Sequence, residues 1–179
     1  MKRLFIAIDF PCEIKDSLAN MCFGIPGAKW VSKDQFHLTL RFIGDTHEKL
    51  FLEILEILKD VNVSKFEITL KGVGYFPPRK KPNVLWVGIE ESNELMYLKE
   101  EIESLLDELG ISREPRKFYP HLTLARLKPE TPLSKITEFL SSNNLFKTNA
   151  IPVTEFHLYS SQLFPSGAIH TKEASYSLL

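Results

Sequence analysis

Two histidines of this chain lie in the same four-residue string, His-Leu-Thr-Leu, which starts at His37 and again at His121. Histidine is scarce, with 5 among 179 residues. In a β-strand alternate residues share a face, so each imidazole would lie beside a threonine hydroxyl while both leucines point the other way. Because an imidazole titrates near neutral pH, it can give or take a proton. The repeated string therefore predicts one acid–base site built from two similar halves.

The pair of imidazoles suits in-line cleavage of a phosphodiester. That reaction needs a base on the attacking side and an acid on the leaving side, and two imidazoles can share one proton to supply both. Thr39 and Thr123 would donate to the non-bridging oxygens, which gather charge in the transition state. Arg41 and Arg126, just beyond each motif, could add a cation. The residues alone leave open which histidine is the acid.

Other hydrolytic chemistries lack a pattern in this sequence. Zinc sites usually need three or four clustered His, Cys, Asp or Glu ligands, and neither motif contains an acid. There is no Gly-x-Ser-x-Gly, and neither Cys12 nor Cys22 is near a histidine in the sequence. The pair Gly72 and Gly74 is too short for a phosphate-binding loop. We therefore expect a site without metal or cofactor.

The composition is that of an ordinary globular protein, 44% hydrophobic and 25% charged. A net charge of -1 argues against a broad basic surface for long nucleic acid, but it allows a small basic patch for the end of a strand. Two cysteines are too few for a disulfide framework. The apolar run at residues 4–8 is too short for a signal peptide, and no stretch has the length of a membrane span. We expect a cytosolic protein.

The elements predicted in residues 1–80 place the first motif in a strand. Hydrophobic periodicity and capping residues predict, in order, a strand at 3–10, a helix opened by Pro11 and closing near Gly24, a strand at 36–43, a helix with Asp45 as N-cap and Glu48 at the capping-box position, and a strand at 66–76.

The elements predicted in residues 81–179 repeat that order. They are a strand at 84–89, a helix capped by Ser92 and stopped by Gly110, a strand at 118–127 with the second motif, a helix with Thr131 at the N-cap and Pro132 at N1, and strands at 153–163 and 176–178. The motif histidines are 84 residues apart. The sequence predicts a single α+β domain over residues 1–179, with pseudo-twofold symmetry and the motifs facing each other across a cleft.

The repeated His-x-Thr-x resembles that of the 2H phosphoesterases. Within them the chain is similar to the RNA 2′,3′-cyclic phosphodiesterases, once described as 2′-5′ RNA ligases. One departure is His170, where that family often has tyrosine. Of the remaining histidines, His47 is expected to be solvated and His157 structural. The similar stretches are Arg-Leu-Phe-Ile-Ala-Ile at 3–8, His-Leu-Thr-Leu-Arg-Phe-Ile-Gly at 37–44, Val-Leu-Trp-Val-Gly at 84–88, Pro-His-Leu-Thr-Leu-Ala-Arg at 120–126, and residues 158–163 with Gly167.

The resemblance implies a bilobal fold with mostly antiparallel sheets, flanking helices and an active cleft between the lobes. It also implies hydrolysis of the 2′,3′-cyclic phosphate at an RNA end to a 2′-phosphate. By analogy His37 would protonate the leaving O3′, and His121 would take a proton from water. Thr39 and Thr123 would hold the phosphoryl oxygens, with Arg126 as a further contact. We expect a monomer.

Several other side chains have two interpretations. Arg41 could contact the substrate or pair with a surface carboxylate. Phe42 and Tyr119 could form the cleft wall or stack on the terminal base. The run Arg79-Lys80-Lys81 is either a solvated loop or a patch for the RNA backbone. Two other functions also remain open: a binding module for cyclic-phosphate or 2′-phosphate RNA ends without turnover, and a 2H enzyme for small cyclic nucleotides or 2′-5′ linkages, including 2′-5′ ligation.

Overall fold

The computed structural model describes residues 1–165 and 167–179, and this part of the chain forms four α-helices and ten β-strands. The helices are α1 (Cys12–Met21), α2 (Glu48–Ile57), α3 (Asn93–Glu108) and α4 (Leu133–Asn143). The strands are β1 (Lys2–Asp9), β2 (Lys29–Trp30), β3 (His37–Thr46), β4 (Phe66–Ile68), β5 (Leu70–Phe76), β6 (Val84–Ile89), β7 (His121–Arg126), β8 (Ile151–Val153), β9 (Glu155–Phe164) and β10 (Gly167–Ser177). Among the described residues, no helix combines the length and the apolar character that crossing a membrane requires.

Two four-stranded antiparallel sheets form the two lobes. The first has the strand order β10-β9-β1-β3, and the second has the order β2-β7-β6-β5. The short strands β4 and β8 pair with each other in a separate ladder. The predicted α+β, two-lobed architecture with antiparallel sheets is therefore confirmed, and each sheet contains one motif strand, β3 or β7.

Each half of the chain contributes a strand to the sheet of the other half. β5, from residues 1–80, pairs with β6, and β9, from residues 81–179, pairs with β1. The order β1-α1-β3-α2-β4-β5 thus matches β6-α3-β7-α4-β8-β9. Because strands are exchanged in both directions, neither half has a complete sheet without the other.

Burial of the motif leucines fixes which face each imidazole occupies. Leu38, Leu122 and Leu124 are completely buried and Leu40 is 2% exposed, whereas the histidines and threonines between them are partly exposed. Burying one leucine side chain contributes about 1.5–3 kcal/mol. A slip of one residue would exchange the two faces and lose that contribution, so the core sets the register.

A β-bulge follows the threonine in both motif strands. The β1–β3 ladder skips Leu40, and the β6–β7 ladder skips Leu124. A bulge adds one residue on one strand and shifts the alternation of faces beyond it. As a result Arg41 is buried, and Phe42 lies on the partly exposed side with its ring 5.7 Å from that of Phe5.

The start of α2 differs from the expectation. Asp45 was predicted as the N-cap, which is wrong because β3 continues to Thr46. His47 takes the N-cap position, where its Nδ1 accepts a hydrogen bond from the Leu50 amide at 3.2 Å. His47 is exposed, as expected, and it also satisfies one of the free amides at the helix start.

The starts of α3 and α4 are close to the prediction. Ser92 caps α3 as predicted, its Oγ accepting a hydrogen bond from the Leu95 amide at 3.1 Å. At α4 the N-cap is Pro132 rather than Thr131, which is a shift of one residue. Gly110, with φ of +76°, follows the end of α3 as expected for a helix stop.

Two of the predicted strands are each interrupted, and a third is longer than predicted. The strand expected at 66–76 divides into β4 and β5, and the strand at 153–163 into β8 and β9. The predicted strand at 176–178 is the end of β10, which pairs with β9 along its length. Most side chains of β10 are exposed or half-buried, and its sequence has no clear apolar alternation. The pattern therefore predicted only the end of this strand.

Candidate active site

The two motif strands, each with an imidazole and a hydroxyl on its partly exposed face, are adjacent although they belong to different sheets. β3 is the edge strand of the first sheet and begins at His37, and β7 begins at His121. Cα atoms of β3 and β7 come within 8 Å of each other, although the two strands belong to different sheets. The halves of the predicted site are thus adjacent in the fold.

The backbone holds both imidazoles in the same way. Nδ1 of His37 lies 2.6 Å from the carbonyl oxygen of Gln35, and Nδ1 of His121 lies 2.6 Å from that of Tyr119. Because a carbonyl can only accept, each Nδ1 carries a proton and donates it. In the neutral ring Nε2 is therefore the unprotonated nitrogen, which is available to exchange a proton with a ligand.

Aromatic rings surround His37. The ring centroids of Phe5, His170 and Tyr159 lie 5.1, 5.3 and 6.4 Å from that of His37. Burial disfavours the charged imidazolium and lowers the pKa of His37 to about 4. The charge of a protonated His170 lowers this pKa further, while the hydrogen bond to Gln35 opposes the shift. In the free protein His37 is thus neutral at pH 7.

His121 has a similar setting in the second sheet. Its ring lies 4.9 Å from Phe76 and 6.4 Å from Trp86, centroid to centroid. Burial lowers the pKa of His121 as well, against the opposing hydrogen bond to Tyr119. A Cβ at Gly74 would lie 2.3 Å from the Trp86 indole, so glycine is needed there for the indole to lie against β5.

A cavity of about 290 Å³ opens beside His37. Its walls include the rings of Tyr159 and His170 and the polar side chains of Ser32 and Asp34. This volume is at the lower end of the roughly 300–1,000 Å³ that is typical of ligand pockets. The cavity is therefore large enough for part of a nucleotide and continues directly from the imidazole.

A sequence comparison places this arrangement in a known family. The profile of the 2′-5′ RNA ligase superfamily matches residues 16–163, which is most of the chain. The chain belongs to the 2′-5′ RNA ligase superfamily. The family resemblance expected from the paired motifs is thereby confirmed.

Similar members of the superfamily cover nearly the whole chain. An RNA 2′,3′-cyclic phosphodiesterase of Thermotoga maritima is 37% identical over 176 residues, covering 94% of this chain and 91% of that protein. One from Aeropyrum pernix is 35% identical, covering 88% and 89%. Among solved structures, TT0787 of Thermus thermophilus has a TM-score of 0.82 at 28% identity, covering 98% and 97%. Escherichia coli LigT in complex with 3′-AMP has a TM-score of 0.78 at 25% identity, covering 99% and 98%.

Three of the four expected substrate contacts of this superfamily member are exposed. Phe42 is 60% exposed and Tyr119 is 58% exposed, next to the two motifs. Arg126 is exposed at the end of β7, opposite Val84 in the ladder with β6. Their positions are compatible with a ligand at the motifs.

The fourth expected contact, Arg41, is turned away from the cleft by the bulge at Leu40. Its side chain is 8% exposed, and its Nε lies 3.2 Å from Glu103. Nη2 donates to the Ser112 carbonyl at 2.5 Å, and Nη1 lies 3.6 Å from Glu114. The expectation that Arg41 contacts the substrate is therefore corrected. Arg41 pairs with carboxylates instead, and the nearest of them, Glu103, is buried rather than at the surface.

Sequence reasoning missed the rings that pack around the imidazoles. Phe5 and Trp86 belong to apolar runs that predict buried strands, so the sequence around them does not indicate that they pack beside the motif imidazoles. The repeat does not reveal them either, because Trp86 lies opposite Thr123, whereas Ala7 lies opposite Thr39 and Phe5 lies opposite Phe42. Tyr159 and Phe76 come from the exchanged strands β9 and β5, whose partners depend on the tertiary fold.

The last histidine has the structural setting that was expected. His157 is 2% exposed, and its Nδ1 lies 2.9 Å from the Ser175 hydroxyl. Its Nε2 lies 3.5 Å from Nζ of Lys172. Within residues 1–165 and 167–179, no three His, Cys, Asp or Glu side chains are grouped as ligands of a metal ion.

Proposed function

We propose that this protein hydrolyses the 2′,3′-cyclic phosphate at an RNA end to a 2′-phosphate, with His37 and His121 as the proton-transfer pair. The observation that carries the proposal is the matched setting of the two imidazoles. They share a motif, the same Nδ1–H bond to a carbonyl two residues earlier, and adjacent strands. The substrate class is supported by the names of the relatives from T. maritima and A. pernix, which are RNA 2′,3′-cyclic phosphodiesterases.

The proposed reaction forms one P–O bond and breaks another. Water attacks phosphorus opposite O3′, and Nε2 of His121 takes the proton of the water. Protonated Nε2 of His37 gives its proton to the leaving O3′, which produces a 3′-hydroxyl and a 2′-phosphate. The bound phosphodiester anion raises the pKa of the imidazole beside it, so the required imidazolium forms on substrate binding. The two rings supply both acid and base, and no metal takes part.

The threonines and Arg126 would stabilise the charge that develops on the phosphoryl oxygens. Thr39 and Thr123 lie two residues after the histidines and share their faces. Removing one fixed donor of this kind typically lowers kcat by about 10²–10³. Phe42 and Tyr119 would offer stacking surfaces to the terminal base.

The test replaces each motif histidine with asparagine, which removes the titratable ring but keeps a polar side chain. We expect His37→Asn and His121→Asn each to lower kcat by about 10²–10⁴ on a 2′,3′-cyclic phosphate substrate. The matched control is His47→Asn, because asparagine is also a good N-cap and should leave α2 and the activity intact. The wild type should keep its activity in a chelator. Full activity in either single variant, or a divalent-ion requirement, would contradict the proposal.

A binding module without turnover is the competing function. Titration with labelled RNA ending in a cyclic phosphate, followed by analysis of the end group, separates the two possibilities. Conversion to a 2′-phosphate that depends on His37 and His121 supports hydrolysis. Tight binding with no product supports the module.

A further inference from the structure

Positive charge is unevenly distributed over this protein of net charge -1. Of its 22 Lys and Arg side chains, 13 have a carboxylate oxygen within 4.0 Å in the described part of the chain, and nine have none. Six of these nine lie together at one end of the second sheet, and we refer to them as the basic patch. Its members are Lys29, Arg79, Lys80, Lys81, Arg126 and Lys128.

The ladders of the second sheet bring the patch together. Lys29 of β2 lies opposite Arg126 of β7. The Leu127 amide donates to the Asn83 carbonyl at 2.8 Å, which sets Lys128 beside the connection between β5 and β6. That connection contains the other three members of the patch. Cations from three separate stretches of the sequence therefore meet at one end of the sheet.

The strand members of the patch, Lys29 and Arg126, lie on the same face of the sheet as His121. Residues directly opposite in an antiparallel ladder share a face, and so do alternate residues along a strand. Val84 is opposite Arg126 and two residues from Trp86, whose ring packs near His121. A phosphate held at His121 is thus on the same surface as the patch.

No carboxylate neutralises the patch in the described residues. All six cations are exposed, and Glu130, which is the nearest carboxylate in sequence to Lys128, lies more than 4.0 Å from their charged atoms. By contrast, Lys71 and Lys147 both pair with Glu90, at 3.0 and 3.3 Å. Clustered like charges repel each other, so an anionic ligand would relieve an unfavourable arrangement.

We propose that the basic patch binds the phosphate backbone of the RNA upstream of the terminal cyclic phosphate, which makes single-stranded RNA, rather than a mononucleotide, the preferred substrate. This inference rests on the proposed function. Arg126 is five residues after His121 in β7, or roughly 16 Å between Cα atoms along an extended strand, and its long side chain would bridge the terminal phosphate and the rest of the patch. A few nucleotides of RNA span that length, so several backbone phosphates can reach the patch while the terminal one lies at His121.

The test compares two substrates in a triple variant of the patch, Lys80→Ala/Lys81→Ala/Lys128→Ala. One substrate is a single-stranded RNA of about eight nucleotides ending in a 2′,3′-cyclic phosphate, a length within the range of single-strand sites. The other is a 2′,3′-cyclic mononucleotide. For the RNA we expect kcat/KM to fall about tenfold, and the slope of log kcat/KM against log salt to become about 2 less negative. For the mononucleotide we expect no change.

The matched control is Lys49→Ala/Lys59→Ala/Lys65→Ala, which removes the same charge around and beyond α2, on exposed positions of the other lobe. It should leave both substrates and the salt slope unchanged. The proposal is overturned if the patch variant keeps the wild-type kcat/KM on RNA, or if its kcat/KM falls equally on both substrates. It is also overturned if the control variant shows the same fall in kcat/KM on RNA.

A binding measurement separates failure of this proposal from failure of the proposed function. Fluorescence anisotropy with single-stranded RNA ending in a 3′-hydroxyl requires no turnover. Weaker binding in the patch variant than in the control supports the RNA surface even if the protein proves inactive. Equal RNA binding by the two variants, or patch-dependent binding of polyglutamate but not of RNA, contradicts it.

Discussion

The imidazoles of His37 and His121 are more alike in this protein than the opposite roles proposed for them require. Both donate Nδ1–H to a carbonyl, and burial lowers both pKa values. Burial favours the neutral form of both rings in the free protein, whereas the proposed reaction needs one acid and one base. The proposal therefore requires that one ring gains a proton when the substrate anion binds.

The pH dependence of kcat/KM should reflect these lowered pKa values, because kcat/KM reports the free enzyme. The active form has one proton on the pair and is most abundant between the two apparent pKa values. With the pKa of His37 at about 4 and that of His121 below 6.5, kcat/KM should peak below pH 6.5. The profile of kcat should peak at a higher pH, since the bound phosphate favours imidazolium. Rates on a cyclic mononucleotide between about pH 4 and 9 measure both, and a kcat/KM maximum at pH 7 or above would rule the scheme out.

The variant His170→Asn provides the matched comparison for that profile. It removes the neighbouring ring whose charge lowers the pKa of His37. The acid limb of kcat/KM should then move to higher pH, while His47→Asn should leave it in place. A limb unaffected by His170→Asn would show that the ring does not act on His37.

The two arginines that follow the motifs differ in their spacing from the β-bulge that β3 and β7 share. Arg41 is the first residue after its motif, and the bulge at Leu40 turns it toward Glu103 of α3. Arg126 is the second residue after its motif, so it takes the position that Phe42 has in β3 and is exposed at the end of β7. A difference of one residue thus makes one arginine hold a strand to a helix and leaves the other open to a ligand.

Substituting each arginine with methionine should separate stability from activity. Arg41→Met leaves Glu103 with Lys99 as its remaining partner and removes the hydrogen bond to the Ser112 carbonyl, so we expect a loss of about 1–3 kcal/mol of unfolding free energy. Arg126→Met should change stability by less than about 0.5 kcal/mol, as is usual at exposed sites, while lowering kcat/KM. Urea unfolding and initial rates at a temperature where both variants are folded measure the two effects. If Arg41→Met kept its stability but lost activity, the result would indicate that Arg41 contacts the substrate after all.

The exchange of β5 and β9 links the two lobes through the chain. Each sheet contains strands from residues 1–80 and from residues 81–179. The ladders that hold the motif strands therefore depend on contacts distant in sequence, and neither lobe corresponds to a continuous piece of chain.

Unfolding should accordingly be a single cooperative transition. Trp30 and Trp86 both report on the second sheet, while far-ultraviolet circular dichroism reports on both lobes. In a urea titration the two signals should share one midpoint, since losing either sheet breaks strands of both halves. A separate fluorescence transition, with a plateau in the dichroism signal, would show that the lobes unfold independently.

Local pattern determined much of the site before any fold was known. The alternation of His, Leu, Thr and Leu assigned faces to the motif side chains, and the burial of Leu38 and Leu122 agrees with it. The order of helices and strands also followed from periodicity and from caps such as Ser92. These features depend on neighbouring residues, so the sequence alone contains them.

The tertiary structure decided what depends on residues distant in the chain. The packing of His170 and Tyr159 beside His37, the burial of Arg41 and the assembly of the basic patch all require strand partners chosen by the whole fold. A bulge changes the face of every residue after it, and alternation cannot reveal where it occurs. The sequence by itself therefore determined the two motif histidines, proposed here as an acid–base pair, and the strands that contain them, whereas only the packing of the strands set the environment of the two rings and the surface beside them.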